Sequence, residues 1–346
     1  MINYFLTKNH FYTIEPFINS WSENGAELFR MVPYETIDQI NFIDNDIFIF
    51  TDLERISEST LDQTRKLCRV IEEKFSSQHI LNHPGVTLGR LELLDLLWQK
   101  GINDYRVYPV ATLDHSCRFP IFLRRPNNHL GPLTSLLHNE EEYHSALAKL
   151  AKKGILPEEL IAIEYCETVD RDGGYRKYSA FRVGTDIIPG HIHFAQDWFV
   201  KGGKHGAPRD EEKNYLEKNP HRTELMEVFQ LAEVDFGRID YSMKNGKIQV
   251  WEINTNPTLL RHPEKYHPVM KQQKAALAEK IEQSFLSLAR TLNSGKQPDA
   301  AIEENDINTN KKFPAMHVNG WKRHYHYSRF FIRRYLEALM QKFEKV

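Results

Sequence analysis

Four side chains that could bind a cation and a phosphate together lie close to one another in the last third of the sequence. Arg238 and Asp240 alternate in one β-like run, and Glu252 and Asn254 alternate in a second run that follows shortly after it. Alternate residues of a strand point to the same face, so each pair should share one side of its strand. Carboxylate and amide oxygens suit Mg²⁺, which retains phosphate oxygens as further ligands, and a guanidinium binds phosphate or a developing oxyanion.

The segment between the two runs predicts a β-hairpin. It reads Lys244-Asn245-Gly246, and Asn and Gly are the residues that most readily accept positive φ in a tight turn. Two loops are compatible with it, a three-residue loop over Lys244 to Gly246 and a two-residue loop of Asn245 and Gly246.

The length of this loop decides whether the two carboxylates meet. With the three-residue loop, Asp240 lies opposite Val250 and therefore on the same side as Glu252. With the two-residue loop, Asp240 lies opposite Trp251, and the carboxylates are separated. We expect the three-residue loop and a joint site for Mg²⁺ and phosphate; the alternative is a solvated hairpin face with ordinary ion pairs.

The stretch from Asp235 to Pro257 resembles the C-terminal hairpin of the ATP-grasp superfamily, above all that of the D-alanine–D-alanine ligase type. Residues 237–240 read Gly-Arg-Ile-Asp, and residues 252–257 match the pattern E-x-N-x-x-P. The resemblance implies that Asp240, Glu252 and Asn254 bind Mg²⁺. It also implies that Arg238 is catalytic and stabilises the transferring phosphoryl group or the tetrahedral intermediate.

Upstream segments resemble the same superfamily in the same order, over roughly residues 80 to 260. Residues 119–124 resemble the strand that presents a nucleotide-phosphate lysine, with an arginine in the place of the lysine. Residues 126–132 stand where the family has a glycine-rich flap but contain a single glycine. Residues 161–167 resemble the hinge whose backbone reads adenine. The ATP contacts implied are Arg124, Glu164, Tyr165, Cys166, Glu167 and Lys177, with Arg182 as an alternative to Lys177 and with Glu164 or Glu167 near the base or ribose.

The resemblance implies an enzyme, an ATP-dependent carboxylate-amine ligase that uses ATP and Mg²⁺ and forms an amide through an acyl phosphate. Its substrates would be a small-molecule or peptide carboxylate and an amine. Two alternatives stay open, a kinase on the same fold and a non-enzymatic nucleotide-binding module that acts through the basic C-terminal segment.

Hydrophobic patterning predicts a multi-lobed chain of α/β and α+β class, which the resemblance identifies as an ATP-grasp fold behind an N-terminal α/β lobe. The expected parts are an N-terminal lobe (1–105), a central lobe (106–166), a C-terminal lobe with the metal-binding hairpin (167–292), a polar linker (293–320) and a basic aromatic helix (321–346).

The C-terminal segment interleaves lysines and arginines with aromatic residues between Trp321 and Val346. Such a stripe usually packs on the body of a protein or on a second subunit, so we favour packing, on the body or in a homo-oligomer, over contact with nucleic acid or a membrane. His191 and His193 share one strand face, but no third metal ligand is identifiable, so we expect them to be structural.

Composition limits which other classes of protein the chain could belong to. The 346 residues are 41% hydrophobic and 27% charged, which excludes global disorder, and a formal net charge of -2 provides no overall field for polyanions. The three widely spaced cysteines fit reduced thiols. The sequence also lacks a secretory signal pattern and an apolar run of membrane-spanning length. We therefore expect a cytoplasmic protein.

Overall fold

The computed structural model describes residues 1–40, 46–113, 117–127, 131–200 and 210–293. The chain divides into a unit of Met1–Pro298 and a unit of Asp299–Val346. The predicted basic aromatic helix and nearly all of the predicted linker lie outside the described residues. The following description concerns the first unit.

Eleven strands and eight α-helices are assigned among the described residues. The strands are β1 Ile2–Leu6, β2 Phe29–Pro33, β3 Ile47–Phe50, β4 Ile80–Leu81, β5 Val107–Pro109, β6 Ile121–Arg124, β7 Ile161–Glu164, β8 Tyr175–Val183, β9 Asp186–Ala195, β10 Phe236–Lys244 and β11 Lys247–Asn254. The helices are α1 Glu15–Ser20, α2 Gly25–Leu28, α3 Glu58–Lys74, α4 Arg90–Gln99, α5 Glu140–Lys152, α6 Asp210–Lys218, α7 Arg222–Leu231 and α8 Pro268–Asn293. No described helix combines the length and apolar character needed to cross a bilayer.

The N-terminal part is a parallel sheet in the order β2-β1-β3-β4. Its central strands are buried throughout and are apolar apart from Asn3, as expected when both faces of a parallel sheet are covered. Polar residues begin directly after these strands, at Thr7 and at Thr51-Asp52. The carboxyl ends of β1 and β3 therefore place polar side chains along one edge of the sheet.

The middle part is an antiparallel sheet in the order β5-β7-β6. Leu123 and Ala162 belong to one core cluster with Tyr143 and Leu150 of α5. Ile161 and Ile163 point the other way, because side chains alternate along a strand, and they share a core with Leu94 and Leu97 of α4. Helix α4, which lies within the predicted N-terminal lobe, thus packs with the antiparallel part of the molecule.

The C-terminal part is an antiparallel sheet in the order β11-β10-β8-β9. The apolar face of α7 packs against it through Leu225 and Phe229, which share a core with Ile239 of β10. The long α8 contributes Ile281 and Phe285 to the core that also contains β1 and β8 residues. A parallel α/β lobe followed by antiparallel α+β parts confirms the fold class predicted from the sequence.

The turn of the last hairpin corrects one prediction. Lys244 pairs with Lys247, so the loop contains only Asn245 and Gly246, at φ 52° and 79°. These two positive φ values belong to the tight two-residue hairpin turn that favours Asn-Gly. The three-residue loop expected from the sequence is therefore wrong, since Asn245 and Gly246 satisfy the two-residue geometry without help from Lys244.

Candidate functional site

A β-bulge brings the two carboxylates together in spite of the shorter loop. The ladder of β10 and β11 shifts register between Asp240 and Tyr241, and Trp251 is the extra residue on β11. Beyond the shift Asp240 pairs with Glu252, and Arg238 pairs with Asn254. Directly paired residues place their side chains on one side of the sheet. The four residues singled out in the sequence thus share a face, through a bulge instead of a longer turn.

Packing around Trp251 holds the extra residue in place. Its indole Nε1 donates to the Ser242 hydroxyl at 2.9 Å, and its ring stacks on Tyr105 with centroids 5.3 Å apart. Tyr105 in turn donates to the backbone carbonyl of Val250. The bulge is therefore fixed by contacts with a residue far away in sequence.

Asp240 is held by two cations. Lys177 Nζ lies 2.9 Å from Oδ2, and Arg238 Nε lies 3.0 Å from Oδ1. Burial raises the pKa of Asp240, and the charge of Glu252 acts in the same direction, but Arg238 and Lys177 outweigh both and hold this pKa below its ordinary value. Asp240 is 3% exposed and ionised, so it can serve as an oxygen ligand at neutral pH.

Glu252 meets two further cations. Arg124 Nη2 lies 3.6 Å from Oε2, and Arg90, at the start of α4, forms a direct ion pair with the same oxygen. Burial, and then the charge of Arg90, lower the pKa of Arg124 to about 10, while Glu252 acts in the opposite direction. Arg90 was not among the residues predicted from the sequence, because no local pattern relates the start of this helix to the hairpin.

Several cationic side chains of the described part of the chain surround the two carboxylates. Among the described side chains Arg90, Arg124, Lys177 and Arg238 contact the carboxylates of Asp240 and Glu252. Clustered like charges repel one another at low dielectric, so such a cluster of cations favours an anionic ligand. A polyphosphate would bind the guanidinium and ammonium groups. A divalent cation would then bind the carboxylates that these groups release.

The oxygen donors fit Mg²⁺ in the form in which proteins usually hold it. No group of three or more His, Cys, Asp or Glu side chains in the described part of the chain could hold a metal alone. Asp240, Glu252 and Asn254 supply two carboxylates and an amide, and Mg²⁺ commonly combines one or two carboxylates with substrate phosphates and water. The Asn254 Oδ1 also accepts from the backbone N–H of Asn256 at 2.9 Å, which orients the amide.

A polar row continues from this site across the whole sheet. Glu252 pairs with Asp240, Asp240 pairs with Ser179 on β8, and Ser179 pairs with His191 on β9. The Ser179 hydroxyl lies 3.0 Å from His191 Nδ1, and the rings of His191 and His193 are 4.1 Å apart. Burial, followed by the charge of His193, lowers the pKa of His191, so its imidazole is neutral. These histidines border the site.

Arg182, the alternative phosphate contact, does not join the site. Its guanidinium donates to the carbonyls of Gly184 and Val234, each at 2.8 Å, and pairs with Asp235 at 2.9 Å. These contacts tie the end of β8 to the segment before β10. Lys177 is the β8 cation that reaches Asp240.

The segment expected to read adenine follows β7. Glu164 is buried, and its carboxylate accepts from Tyr108 at 3.1 Å and from the backbone of Arg118 at 2.9 Å, so it holds neighbouring strands together. The Tyr165 hydroxyl lies 3.2 Å from that of Tyr175. Cys166 is buried, with Sγ 3.5 Å from the side-chain oxygen of Gln249. Glu167 is exposed, and its carboxylate accepts from Val169 N at 3.1 Å.

A separate open cavity of about 580 Å³ lies by the tip of the hairpin, near Trp98 and Lys247. Asp104 in this cavity is bound by Lys247 Nζ at 2.7 Å and lies 3.5 Å from Lys244 Nζ. The charges there are largely paired, and the residues lining the cavity do not include Asp240, Glu252 or Asn254.

No protein-family model matches the sequence, and no curated protein matches it. Among solved structures, the chain is similar to D-alanine–D-alanine ligase from Bacillus anthracis complexed with ATP, with TM-score 0.49 and 12% identity over 84% of this chain and 98% of that one. The corresponding ligase from Coxiella burnetii gives TM-score 0.45 and 11% identity over 84% and 98%. An L-amino acid ligase from Bacillus licheniformis gives TM-score 0.39 and 12% identity over 74% and 66%.

These ligases are ATP-grasp enzymes, the superfamily that the hairpin sequence resembles. At these TM-scores and identities the likeness carries no part of the functional argument, which rests on the side chains described above.

Proposed function

We propose that the protein is an ATP-dependent carboxylate-amine ligase. The observation that carries the proposal is the pairing of Asp240 with Glu252 among Arg90, Arg124, Lys177 and Arg238. A face with two carboxylates and four cationic side chains suits the triphosphate of ATP together with a divalent cation, and phosphoryl transfer depends largely on such positioning and charge stabilisation.

Each side chain then has a defined task. Arg90, Arg124 and Lys177 bind phosphate oxygens and so release Glu252 and Asp240 from their ion pairs. Asp240, Glu252 and Asn254 would hold Mg²⁺, which supplies neutralisation of the charge on the phosphoryl oxygens. Glu167 and the backbone of residues 164–167 would receive the ribose and the base, because the carboxylate of Glu164 is already bound by its neighbours.

The reaction balances in two steps. An oxygen of the substrate carboxylate attacks the γ-phosphorus of ATP; the bond to the β-phosphate oxygen breaks, and ADP leaves. The amine then attacks the carbonyl carbon of the acyl phosphate, loses a proton and expels inorganic phosphate, which leaves an amide. Arg238 lies opposite Asn254 in the β10–β11 ladder. From this position the Arg238 guanidinium can stabilise the oxyanion that develops in either step.

A screen of carboxylate and amine pairs for Mg²⁺-dependent ADP release tests the proposal. Glu252→Gln should abolish release, because a neutral amide is a poor ligand for the cation and no longer balances two guanidinium groups. Glu279→Gln, an exposed change on α8, is the matched control and should behave as wild type. Equal ADP release by Glu252→Gln and wild type would refute the mechanism. ADP release with a stable phosphorylated product and no amine would assign a kinase instead.

A further inference from the structure

The segment that follows β11, the strand of Glu252 and Asn254, contacts the N-terminal lobe. Asn256 follows Asn254 by two residues and is 3% exposed. Its side-chain oxygen accepts from the Tyr4 hydroxyl at 3.0 Å and from the Thr13 hydroxyl at 2.7 Å. Its side-chain nitrogen donates to Asp52 Oδ2 at 2.8 Å. One amide is therefore bound by three separate segments of that lobe.

Asp52 is the centre of this network. It follows β3, its side chain is fully buried, and its Oδ2 also accepts from the backbone N–H and the hydroxyl of Thr7, both at 3.0 Å. The ring nitrogen Nδ1 of His10 lies 2.9 Å from the same oxygen. Asp52 has φ 55°, a left-handed conformation that few non-glycine residues adopt. Such strain persists only where surrounding contacts over-determine the geometry.

The network reaches the candidate metal ligand through a single hydrogen bond. The backbone N–H of Asn256 donates to Asn254 Oδ1 at 2.9 Å and so fixes the direction of that oxygen. The position of this N–H depends on Asn256, whose side chain is bound to Asp52, Tyr4 and Thr13. A continuous path of contacts thus runs from the end of β3 to the amide oxygen on β11.

We propose that Asp52 and Asn256 are positioning residues that set the affinity of the site for the divalent cation. The inference rests on the proposed function, which makes Asn254 a metal ligand. In this proposal the N-terminal lobe orients Asn254, although Asp52 itself would contact neither the cation nor the nucleotide. Loosening Asn256 lets the Asn254 amide rotate away from the bound geometry, and the cation then binds more weakly.

An isosteric exchange tests the link without removing any side chain. Asn256→Asp still accepts from Tyr4 and Thr13 but sets a carboxylate against Asp52, where like charges repel. In the double variant Asp52→Asn, Asn256→Asp, an amide and a carboxylate again face each other with the direction of the hydrogen bond reversed, although the amide nitrogen at position 52 no longer accepts from the Thr7 N–H. This exchange keeps the net charge of the wild type. Glu282→Gln is the control, because Glu282 also binds the N-terminal lobe, through Ser22 and Asn24, far from the hairpin in sequence.

The measurement is the Mg²⁺ concentration that gives half of the thermal-shift response in saturating ATP, together with the Mg²⁺ dependence and the KM for ATP in ADP release. Asn256→Asp should raise the half-saturating Mg²⁺ concentration about tenfold, the size of one lost charge-assisted contact, with little change in KM at saturating Mg²⁺. The double variant should restore only part of the loss, because it removes the repulsion but not the lost acceptor for the Thr7 N–H, so its half-saturating Mg²⁺ concentration should lie between those of Asn256→Asp and the wild type. Glu282→Gln should lower the unfolding temperature and leave the Mg²⁺ dependence unchanged.

The outcomes separate this inference from the proposed function. If wild-type protein responds to Mg²⁺ and ATP but Asn256→Asp matches it or binds Mg²⁺ more tightly, the inference is overturned and the function stands. An equal loss in Glu282→Gln would also overturn it, because any weakening of the lobe contact would then suffice. A wild type with no response to Mg²⁺ and ATP overturns the proposed function and this inference together.

Discussion

Arg90 forms an ion pair with Glu252, a residue 162 positions further along the chain. The guanidinium lies at the start of α4 and the carboxylate near the end of β11, so the pair joins two elements that no local sequence pattern relates. The same Glu252 oxygen lies 3.6 Å from Arg124. In our proposal these two arginines bind the carboxylate until a triphosphate binds their guanidinium groups instead.

Replacing Arg90 should weaken nucleotide binding. Arg90→Met keeps most of the apolar stem, but it removes one charge-assisted contact to phosphate, worth about 1.5–3 kcal/mol. We expect the KM for ATP to rise about ten- to a hundredfold in steady-state ADP release. Arg65→Met is the matched control, since Arg65 is partly exposed and forms a local ion pair with Asp62 at 3.0 Å. An unchanged KM in Arg90→Met would remove this residue from the phosphate contacts.

Two glycines of the hairpin should respond differently to alanine. A Cβ on Gly237 would lie 2.9 Å from the backbone oxygen of Asn254, so Gly237→Ala must displace the end of β11 that carries this proposed amide ligand. We expect a several-fold higher Mg²⁺ requirement for ADP release. A Cβ on Gly246 meets nothing within 4 Å, but its φ of 79° penalises alanine by about 1–2 kcal/mol.

Gly246→Ala should therefore lower the unfolding temperature by a few degrees and leave the Mg²⁺ requirement unchanged. Thermal unfolding and Mg²⁺ titration of both variants check this pair. Similar Mg²⁺ requirements in the two variants would show that the approach of Gly237 to Asn254 does not position the ligand.

Glu282 should contribute stability that depends on pH. Burial raises the pKa of Glu282, but hydrogen bonds from Ser22 and from Asn24 and its backbone outweigh burial and hold the pKa below the ordinary 4.5. A carboxyl group whose pKa is lower in the folded than in the unfolded protein stabilises the fold fully at a pH above its unfolded pKa. This stabilisation is lost as the pH falls through its folded pKa. Calorimetric melts should show Glu282→Gln less stable than wild type at neutral pH. The difference should shrink as the pH falls below 4.5; a constant difference would contradict the assignment.

Removal of residues 299–346 tests whether the function resides in the first unit. Every proposed site residue lies within Met1–Pro298, which forms one compact unit. We expect the truncated protein to keep its rate of ADP release within about twofold, since compact units usually fold independently. Loss of function on truncation, combined with full function of Glu252→Gln, would favour a binding module that acts through its C-terminal segment.

The sequence predicted the hairpin well because its signals are local. Alternation placed Arg238 with Asp240 and Glu252 with Asn254 on common faces, and Asn245-Gly246 marked the turn. The loop length and the bulge were not predictable in this way. The extra residue Trp251 is held by its stack on Tyr105, which is a tertiary contact between distant parts of the chain.

Arg90 and Asp52 were missed for the same physical reason. At the start of a helix an arginine is ordinarily a solvated residue, and an aspartate after a strand ordinarily begins a turn. Their importance comes from Glu252 and Asn256, which lie far away in sequence and approach them only after the lobes have packed. Periodicity reports which face a residue occupies but carries no information about which distant residue that face meets.

The bulge at Trp251 separates the choice of turn from the placement of the carboxylates. In a regular hairpin, shortening the loop by one residue would send Asp240 and Glu252 to opposite sides of the sheet. One extra residue inside the ladder cancels that shift. The hairpin can therefore combine a tight two-residue turn with Asp240 and Glu252 on the same side of the sheet. Chains of this architecture can therefore exchange a longer loop for a bulge and keep the same chemistry, which means that turn length alone is a poor guide to whether such a site is intact.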